Sequence, residues 1–181
     1  YGLLINNFFP SIAGNFLPMN YLLKIASYPL TVLYYLFFGV ILLFFHPLQW
    51  LALKLGGYNS HRKIVALLNL CLTRCIHILG SKISFNINYK IPEKVPLIIV
   101  SNHQSMNDIP PIIWFMRKHH PKFISKKELG KGIPSVSFNL RHGGSALIDR
   151  KDAKQSISTI INFGKYIEEN KYSAVIFPEG T

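Results

Sequence analysis

His103 and Asp108 are the residues whose types and spacing first point to chemistry in this chain. They lie five positions apart in the polar run "SNHQSMND", between two apolar runs. A histidine next to a carboxylate can take up and return a proton near neutral pH, which is the work of a general base. Five residues turn about 500° in a regular helix, so the two side chains meet only if His103 lies in a loop and Asp108 in a first helical turn. Pro110 and Pro111 favour a helix start near Asp108, because proline fits a first turn.

An alternative interpretation makes Asp108 only a helix cap and His103 only a solvated loop residue. The chain contains 7 histidines, so one pair at this spacing is weak evidence for catalysis. The residues alone leave both interpretations open. His119 and His120, in "RKHHP", are better explained as a solvated helix end than as a second site.

The region after Gly80 alternates between strand and helix patterns. The patterns predict strands at 83–89, 96–100, 122–125, 145–148 and 173–177, with helices near 109–118 and 152–170. The run "PLIIV" at 96–100 is continuously apolar, which is typical of a central strand. Asp152 is the expected N-cap of the second helix, with Gln155 three residues later. We therefore predict an α/β domain with a mixed, largely parallel sheet flanked by helices.

Polar clusters follow four of these predicted strands. They are "NHQSMND", "KKELG", "DR" and "PEGT". Ligands of open α/β sheets collect at the carboxyl ends of the strands. The four clusters could therefore converge on one site.

The N-terminal part of the chain has a different character. Lys24 is the only Lys, Arg, Asp or Glu in the first 53 residues. With its flanks, the run 30–45 is long enough to cross a hydrocarbon core of ~30 Å, for which about 20 residues suffice. A cleaved signal peptide and a buried soluble helix fit less well. A second amphipathic helix at 61–79, after a turn "GGYNS" at 56–60, completes a membrane-anchoring helical hairpin over 19–80.

Both ends of the chain carry an expectation of their own. Position 1 is not Met, and the first Met is Met19, so we expect residues 1–18 to be a non-native leader. The chain ends at Thr181, directly after a turn signal. We therefore expect the α/β domain, 81–181, to be truncated at its C-terminus.

The formal charge of +12 indicates an anionic partner. Nucleic acid, an anionic membrane surface and phosphorylated metabolites all qualify, and the apolar N-terminal part favours membrane lipids. No nucleic-acid motif or interleaving of basic and aromatic residues is present, so nucleic acid is not expected. Cys71 and Cys75 stand four apart on a predicted helix without further ligands nearby, so we predict neither a metal site nor a disulfide.

Three motifs in order, "NHQSMND", "GGSALIDR" and "FPEGT", resemble the first three sequence blocks of the glycerolipid acyltransferase family. The resemblance is closest to its bacterial 1-acyl-sn-glycerol-3-phosphate acyltransferases and covers about 80–181. "FISKKELG" between the first two blocks is also similar, and the apolar helix pair is similar to the family's membrane anchor. The resemblance favours the catalytic interpretation of the histidine and aspartate pair.

The resemblance implies a role for each matching residue. His103 would be the general base, and Asp108 would hold its ring in the right tautomer. Arg150 would grip the acceptor's phosphate, which suits the planar fork of a guanidinium. The remaining candidates are substrate-binding residues: Glu179 and Gly180 along the glycerol, with Lys126 and Lys127 adding positive charge near the phosphate.

The implied reaction moves a fatty acyl group from acyl-CoA or acyl carrier protein to the sn-2 hydroxyl of lysophosphatidic acid, giving phosphatidic acid. No metal or tightly bound cofactor is expected, and the expected location is the cytoplasmic face of a bacterial inner membrane. Two alternatives stay open. One is another acceptor, such as glycerol 3-phosphate, another lysophospholipid or a lyso-aminolipid. The other is a non-catalytic basic protein that binds membranes.

Overall fold

The N-terminal helix α1 extends over Leu17–Cys75 and is broken once, at Gly57. The structure is a computed structural model that describes residues 17–86, 91–92 and 95–178. Gly57 has φ 62° and ψ −160°, a backbone conformation that is almost confined to glycine. The break lies inside the segment 56–60 that the sequence predicts as a turn.

The break divides α1 into a first arm, 17–56, and a second arm, 58–75, which pack against each other. Their common core contains Leu42 and Phe45 from the first arm, with Leu68 and Leu72 from the second. A short 3₁₀ turn, Ile76–Leu79, continues the second arm. The chain therefore begins its described part with a helical hairpin.

The hairpin presents a large apolar surface outside this core. The stretch Lys24–Leu79 is long and apolar enough to cross a membrane, and only 11% of its most apolar window is buried inside the protein. Tyr28, Leu36 and Phe44 are each more than half exposed. This exposure fits a membrane anchor better than the core helix of a soluble protein.

The described residues of the α/β part form four strands and three α-helices. In chain order they are β1 Ile98–Val100, α2 Ile109–Phe115, β2 Pro121–Lys126, α3 Val136–His142, β3 Ala146–Ile148, α4 Ala153–Asn170 and β4 Ser173–Ile176. The strands form one sheet in the order β1-β4-β2-β3, and every pairing is parallel. The predicted α/β class with a largely parallel sheet is confirmed.

Helices cover both faces of the sheet because neighbouring strand residues point to opposite sides. On one face Ile112 of α2 packs with Phe123 and Val175 of the sheet. On the other face Phe163 of α4 packs with Ala146. The helix α4 starts as predicted, with the Asp152 side chain accepting a 2.9 Å hydrogen bond from the Gln155 amide.

Two strand predictions were wrong in part. The run "PLIIV" forms an edge strand of the described sheet, with Ile98 73% and Val100 58% exposed. The predicted strand 83–89 is not a strand over 83–86, and its remaining residues lie outside the described ones. Phe85 instead stacks on Phe115 with ring centres 4.4 Å apart. Phe85 is therefore apolar because it packs on α2, and not because it belongs to a strand.

Candidate active site

The polar segments that follow β1, β2 and β3 lie at the carboxyl end of the sheet, because all strands of the described sheet run in the same direction. His103 follows β1, and Lys126 ends β2. Arg150 lies in the turn after β3. The parallel sheet thus brings these predicted residues to its carboxyl end.

His103 and Asp108 lie together at this edge. His103 Nδ1 is 3.4 Å from Asp108 Oδ2, and both side chains are largely buried, at 22% and 11% exposure. The separation is too long for a well-formed hydrogen bond. Nδ1 is buried and makes no hydrogen bond to the described residues. A small movement of the imidazole ring would bring Nδ1 within hydrogen-bond distance of Asp108 Oδ2.

Local sequence explains why Asp108 points back toward the histidine loop. Met106–Asp108 form a 3₁₀ turn that Ser105 caps, and the α-helix starts at Ile109 with prolines in its first turn. Asp108 Oδ2 accepts 2.8 Å hydrogen bonds from the amides of Gln104 and Ser105. Asp108 is therefore a cap and a histidine partner at once, so the two interpretations of the sequence are compatible.

Phe177 packs on the histidine from the neighbouring strand. Its ring stacks on His103 with centres 4.3 Å apart and planes 23° apart. β4 is the direct neighbour of β1, which places the residue after its end beside the His103 loop. The stacked ring and Asp108 together restrict the orientation of the imidazole.

Arg150, the predicted phosphate-binding arginine, follows a strand that is not adjacent to the strand before His103. Two strands separate β1 from β3, so Arg150 and His103 follow strands about 14 Å apart at the usual spacing. Asp149, just before Arg150, accepts hydrogen bonds through its main-chain oxygen from Asp152 N and Ser156 Oγ, which fixes the turn to the start of α4.

The other predicted substrate-binding residues have different outcomes. Lys126 and Lys127 are exposed at the carboxyl end of β2. Glu179 and Gly180 lie outside the described residues. In the part of the chain that the structure describes, no group of three or more His, Cys, Asp or Glu side chains is placed to hold a metal ion.

The prediction of a solvated helix end at His119 and His120 was wrong. His119 is buried, at 8% exposure. The backbone turns at His120, which has φ 49°, and its ring stacks on Tyr172 at 4.8 Å. Packing on a distant aromatic residue therefore outweighs the polar character of "RKHHP".

Residues 82–181 match the family model described as Acyltransferase. The chain therefore belongs to the acyltransferase family. It is 40% identical over 87 residues to a 1-acyl-sn-glycerol-3-phosphate acyltransferase of Helicobacter pylori, covering 46% of this chain and 34% of that protein. The protein of the same name from Saccharomyces cerevisiae is 28% identical over 90 residues, covering 49% of this chain and 28% of that protein.

This acyltransferase-family chain is similar to a solved structure over most of its own length. It is the 1-acyl-sn-glycerophosphate (LPA) acyltransferase PlsC from Thermotoga maritima, with a TM-score of 0.68 and 27% identity. The match covers 88% of this chain and 63% of that one. The chain spans about a third of the length of the curated relatives that it matches.

Two contacts of this family member's histidine loop were not predicted from the sequence. The sequence placed Phe177 in the predicted strand 173–177 and in "FPEGT", but its position beside His103 depends on the strand order. Tyr34 of the first arm donates a hydrogen bond to Asn107 Oδ1. The apolar run 30–45 contains Tyr34 and Tyr35, and the sequence does not show which of them contacts Asn107.

Proposed function

We propose that this protein transfers a fatty acyl group from acyl-CoA or acyl carrier protein to the sn-2 hydroxyl of 1-acyl-sn-glycerol 3-phosphate, giving phosphatidic acid. The observation that carries the proposal is the His103 and Asp108 pair, 3.4 Å apart at the carboxyl edge of the sheet. The acyltransferase family gives the reaction class. The names of the relatives give the acceptor.

His103 is the general base of this mechanism. Its Nε2 takes the proton of the acceptor hydroxyl as that oxygen attacks the thioester carbonyl carbon. The carbon–sulfur bond then breaks, and the imidazolium returns the proton to the leaving thiolate. Asp108 stabilises the imidazolium through Nδ1, as the aspartate does in a Ser-His-Asp triad. The substrate hydroxyl takes the place of the serine, so no acyl-enzyme forms.

The remaining site residues bind the substrate. Arg150 holds the acceptor phosphate, with Lys126 and Lys127 adding positive charge at the same edge of the sheet. Glu179 and Gly180 line the glycerol, a role that rests on the family resemblance. The thioester donor is a co-substrate, and the steps use no metal or tightly bound cofactor.

The protein works at a membrane surface, on the cytoplasmic face of a bacterial inner membrane. The exposed apolar hairpin supports membrane anchoring, and the excess of basic residues favours a surface rich in anionic lipid. Thioester donors are cytosolic, which supports that face. Lysophosphatidic acid itself partitions into the same membrane, so the anchor brings site and acceptor together.

The test measures acylation of lysophosphatidic acid by a long-chain acyl-CoA in membranes that contain the protein. His103→Ala should lower kcat by at least about 10²-fold. The matched control is His77→Ala, since His77 is an exposed histidine whose Nδ1 contacts Ser81 O. Equal activity of His103→Ala and wild type would overturn the mechanism. Equal activity with monoacylglycerol, which lacks the phosphate, would overturn the proposed acceptor.

A further inference from the structure

A cavity of about 260 Å³ lies at the end of the sheet opposite the His103 edge. Its walls include Lys122 and Ser145, at the amino ends of β2 and β3, and Tyr58 and Arg62 from the second arm of α1. Lys122 precedes Lys126 by four residues, or about 13 Å along the strand. The cavity is thus separate from the proposed acyl-transfer site.

The wall of this cavity carries a concentration of positive charge. Five of its residues are basic: Arg62, Lys63, Arg117, Lys118 and Lys122. His61 and His120 also line it, and among the described residues no Asp or Glu does. Cations gathered around one concave surface raise the local potential and attract an anion.

Lys122 is the buried centre of the charge. It is 6% exposed. Its ammonium donates a 2.7 Å hydrogen bond to the Tyr58 hydroxyl and a second bond to the Gly143 carbonyl oxygen. The same nitrogen lies 4.6 Å from the ring centre of Tyr58 and 5.0 Å from that of Tyr172. An ammonium has three donors, so one remains for a ligand.

Two neighbouring side chains hold further buried polar atoms. His61 is fully buried, and neither of its ring nitrogens has a hydrogen-bond partner among the described residues. Arg62 donates through Nη1 to the Arg117 carbonyl oxygen at 3.1 Å, while its buried Nε has no such partner. Buried polar atoms in proteins are nearly always hydrogen-bonded, so these atoms are available to bind a polar ligand in the cavity.

The positive charges in the cavity also act on one another. Burial, followed by the charge of Arg62, lowers the pKa of Lys122 to about 7. Burial first, then the charges of Arg62 and Lys122, lowers the pKa of His120 to about 4. An anion in the cavity would favour the protonated form of Lys122, so the ligand and the lysine charge would stabilise each other.

We propose that this cavity binds the phosphate group of an anionic ligand, with Lys122 Nζ and Arg62 Nε as donors. A phosphate offers several strong acceptor oxygens to donors that converge from different elements. The cavity volume equals that of several water molecules, at roughly 30 Å³ each. It therefore admits a phosphate group with part of what it is attached to.

The position of the cavity allows either a lipid headgroup or a free phosphate. Tyr58 directly follows the break at Gly57. Leu51 and Leu55, near the end of the first arm, are exposed. Lys54 lies 4.9 Å over the ring of Trp50 on that turn. Tryptophan and lysine in this arrangement are typical of the membrane–water interface, where lipid phosphates lie.

The experiment measures binding of inorganic phosphate to the purified protein in neutral detergent, by titration calorimetry at constant ionic strength. Lys122→Met and Arg62→Gln should each weaken binding at least about ten-fold, the effect of losing one charged hydrogen bond. The matched control is Lys165→Met on the exposed face of α4, which removes the same charge and should leave binding unchanged. Circular dichroism verifies that each variant is folded. Because there are two cavity variants, the test still works if one of them does not fold.

A competition measurement identifies the source of the phosphate. If short-chain phosphatidylglycerol competes with phosphate and the neutral phosphatidylcholine does not, the ligand is a lipid headgroup. If phosphatidylglycerol does not compete, the ligand is a free phosphate. Either outcome supports the site. The proposal is overturned if wild type shows no saturable phosphate binding, or if Lys165→Met weakens binding as much as Lys122→Met. Binding lost in Arg150→Gln but kept in Lys122→Met also overturns it, since the phosphate would then lie at the acyl-transfer site.

This experiment uses no acyl donor and is independent of the proposed reaction. His103→Ala should bind phosphate like wild type. A protein that binds phosphate here but does not acylate lysophosphatidic acid would contradict only the proposed function. An active enzyme without phosphate binding in this cavity would contradict only the second site.

Discussion

The Tyr34 hydroxyl donates a 2.6 Å hydrogen bond to Asn107 Oδ1, across 73 positions of the chain. Tyr34 belongs to the first arm of α1 and is only 4% exposed, although much of that arm is exposed and apolar. Asn107 lies directly before Asp108 in the histidine loop. The first arm of the hairpin is therefore hydrogen-bonded to the segment that positions the proposed base.

Tyr34→Phe should lower kcat several-fold while KM for lysophosphatidic acid changes little. The ring keeps its packing, but the loss of one buried hydrogen bond, about 0.5–1.5 kcal/mol, leaves the histidine loop less well fixed. Tyr35→Phe is the matched control, because Tyr35 is 59% exposed. Membrane binding of both variants should equal that of wild type in a flotation assay. Equal kcat for Tyr34→Phe and wild type would show that the bond does not position the loop.

Asp108→Asn should lower kcat by about 10²–10⁴-fold with KM nearly unchanged, because an amide cannot stabilise the imidazolium as a carboxylate does. The asparagine oxygen can still accept the bonds from the Gln104 and Ser105 amides. The Asp108→Asn variant should therefore keep its fold. Asp108→Ala should in addition lose about 1 kcal/mol of stability, because it lacks the helix cap. Steady-state kinetics and thermal unfolding separate the two effects. A kcat of Asp108→Asn within about two-fold of wild type would leave Asp108 as a cap only.

The stability of the protein should rise with pH between about 7 and 10.5 because of Lys122. Burial and the charge of Arg62 lower its pKa to about 7, so in this range the unfolded chain binds more protons than the folded one. One such group contributes a slope of up to about 1.4 kcal/mol per pH unit. The groups that face it are Tyr58, His61, Arg62, His120 and Tyr172.

Lys122→Met should flatten this slope, since methionine carries no proton. The measurement is the unfolding temperature in detergent at pH 7.5 and pH 9.5, without phosphate. Lys165→Met should keep the wild-type slope. If both variants show the same slope, the buried lysine is not its source.

Local signals in the sequence predicted the elements that depend on local physics. The Asp152 cap and the apolar spacing behind it predicted α4, and the structure contains that helix with the same cap. Pro110 and Pro111 predicted a helix start near Asp108 because their ring geometry admits few alternatives. Strand alternation with helices predicted a parallel sheet, and with it the common edge for His103 and Arg150.

Features that depend on distant packing could not be predicted in the same way. An apolar run such as "PLIIV" shows that a strand forms but not which strand lies beside it, so β1 was placed centrally although it is at the edge of the described sheet. His120 was predicted to be part of a solvated helix end, because its contact with Tyr172 forms only in the folded chain. The basic cavity needs the second arm of α1 next to the amino ends of β2 and β3, and no sequence motif encodes that contact.

Gly57→Ala should destabilise the hairpin by about 1–3 kcal/mol, because φ 62° with ψ −160° is a conformation that side-chain-bearing residues avoid. An added Cβ would meet no atom within 4 Å, so the cost would come from the backbone alone. Gly39→Ala is the matched control: its Cβ also meets nothing within 4 Å, but Gly39 lies inside the first arm, where alanine fits a helix at least as well as glycine. Thermal unfolding in detergent should therefore show a lower midpoint for Gly57→Ala only. Equal midpoints for the two variants would mean that the two arms can pack without this break, and the turn at 56–60 would then not be what fixes the hairpin.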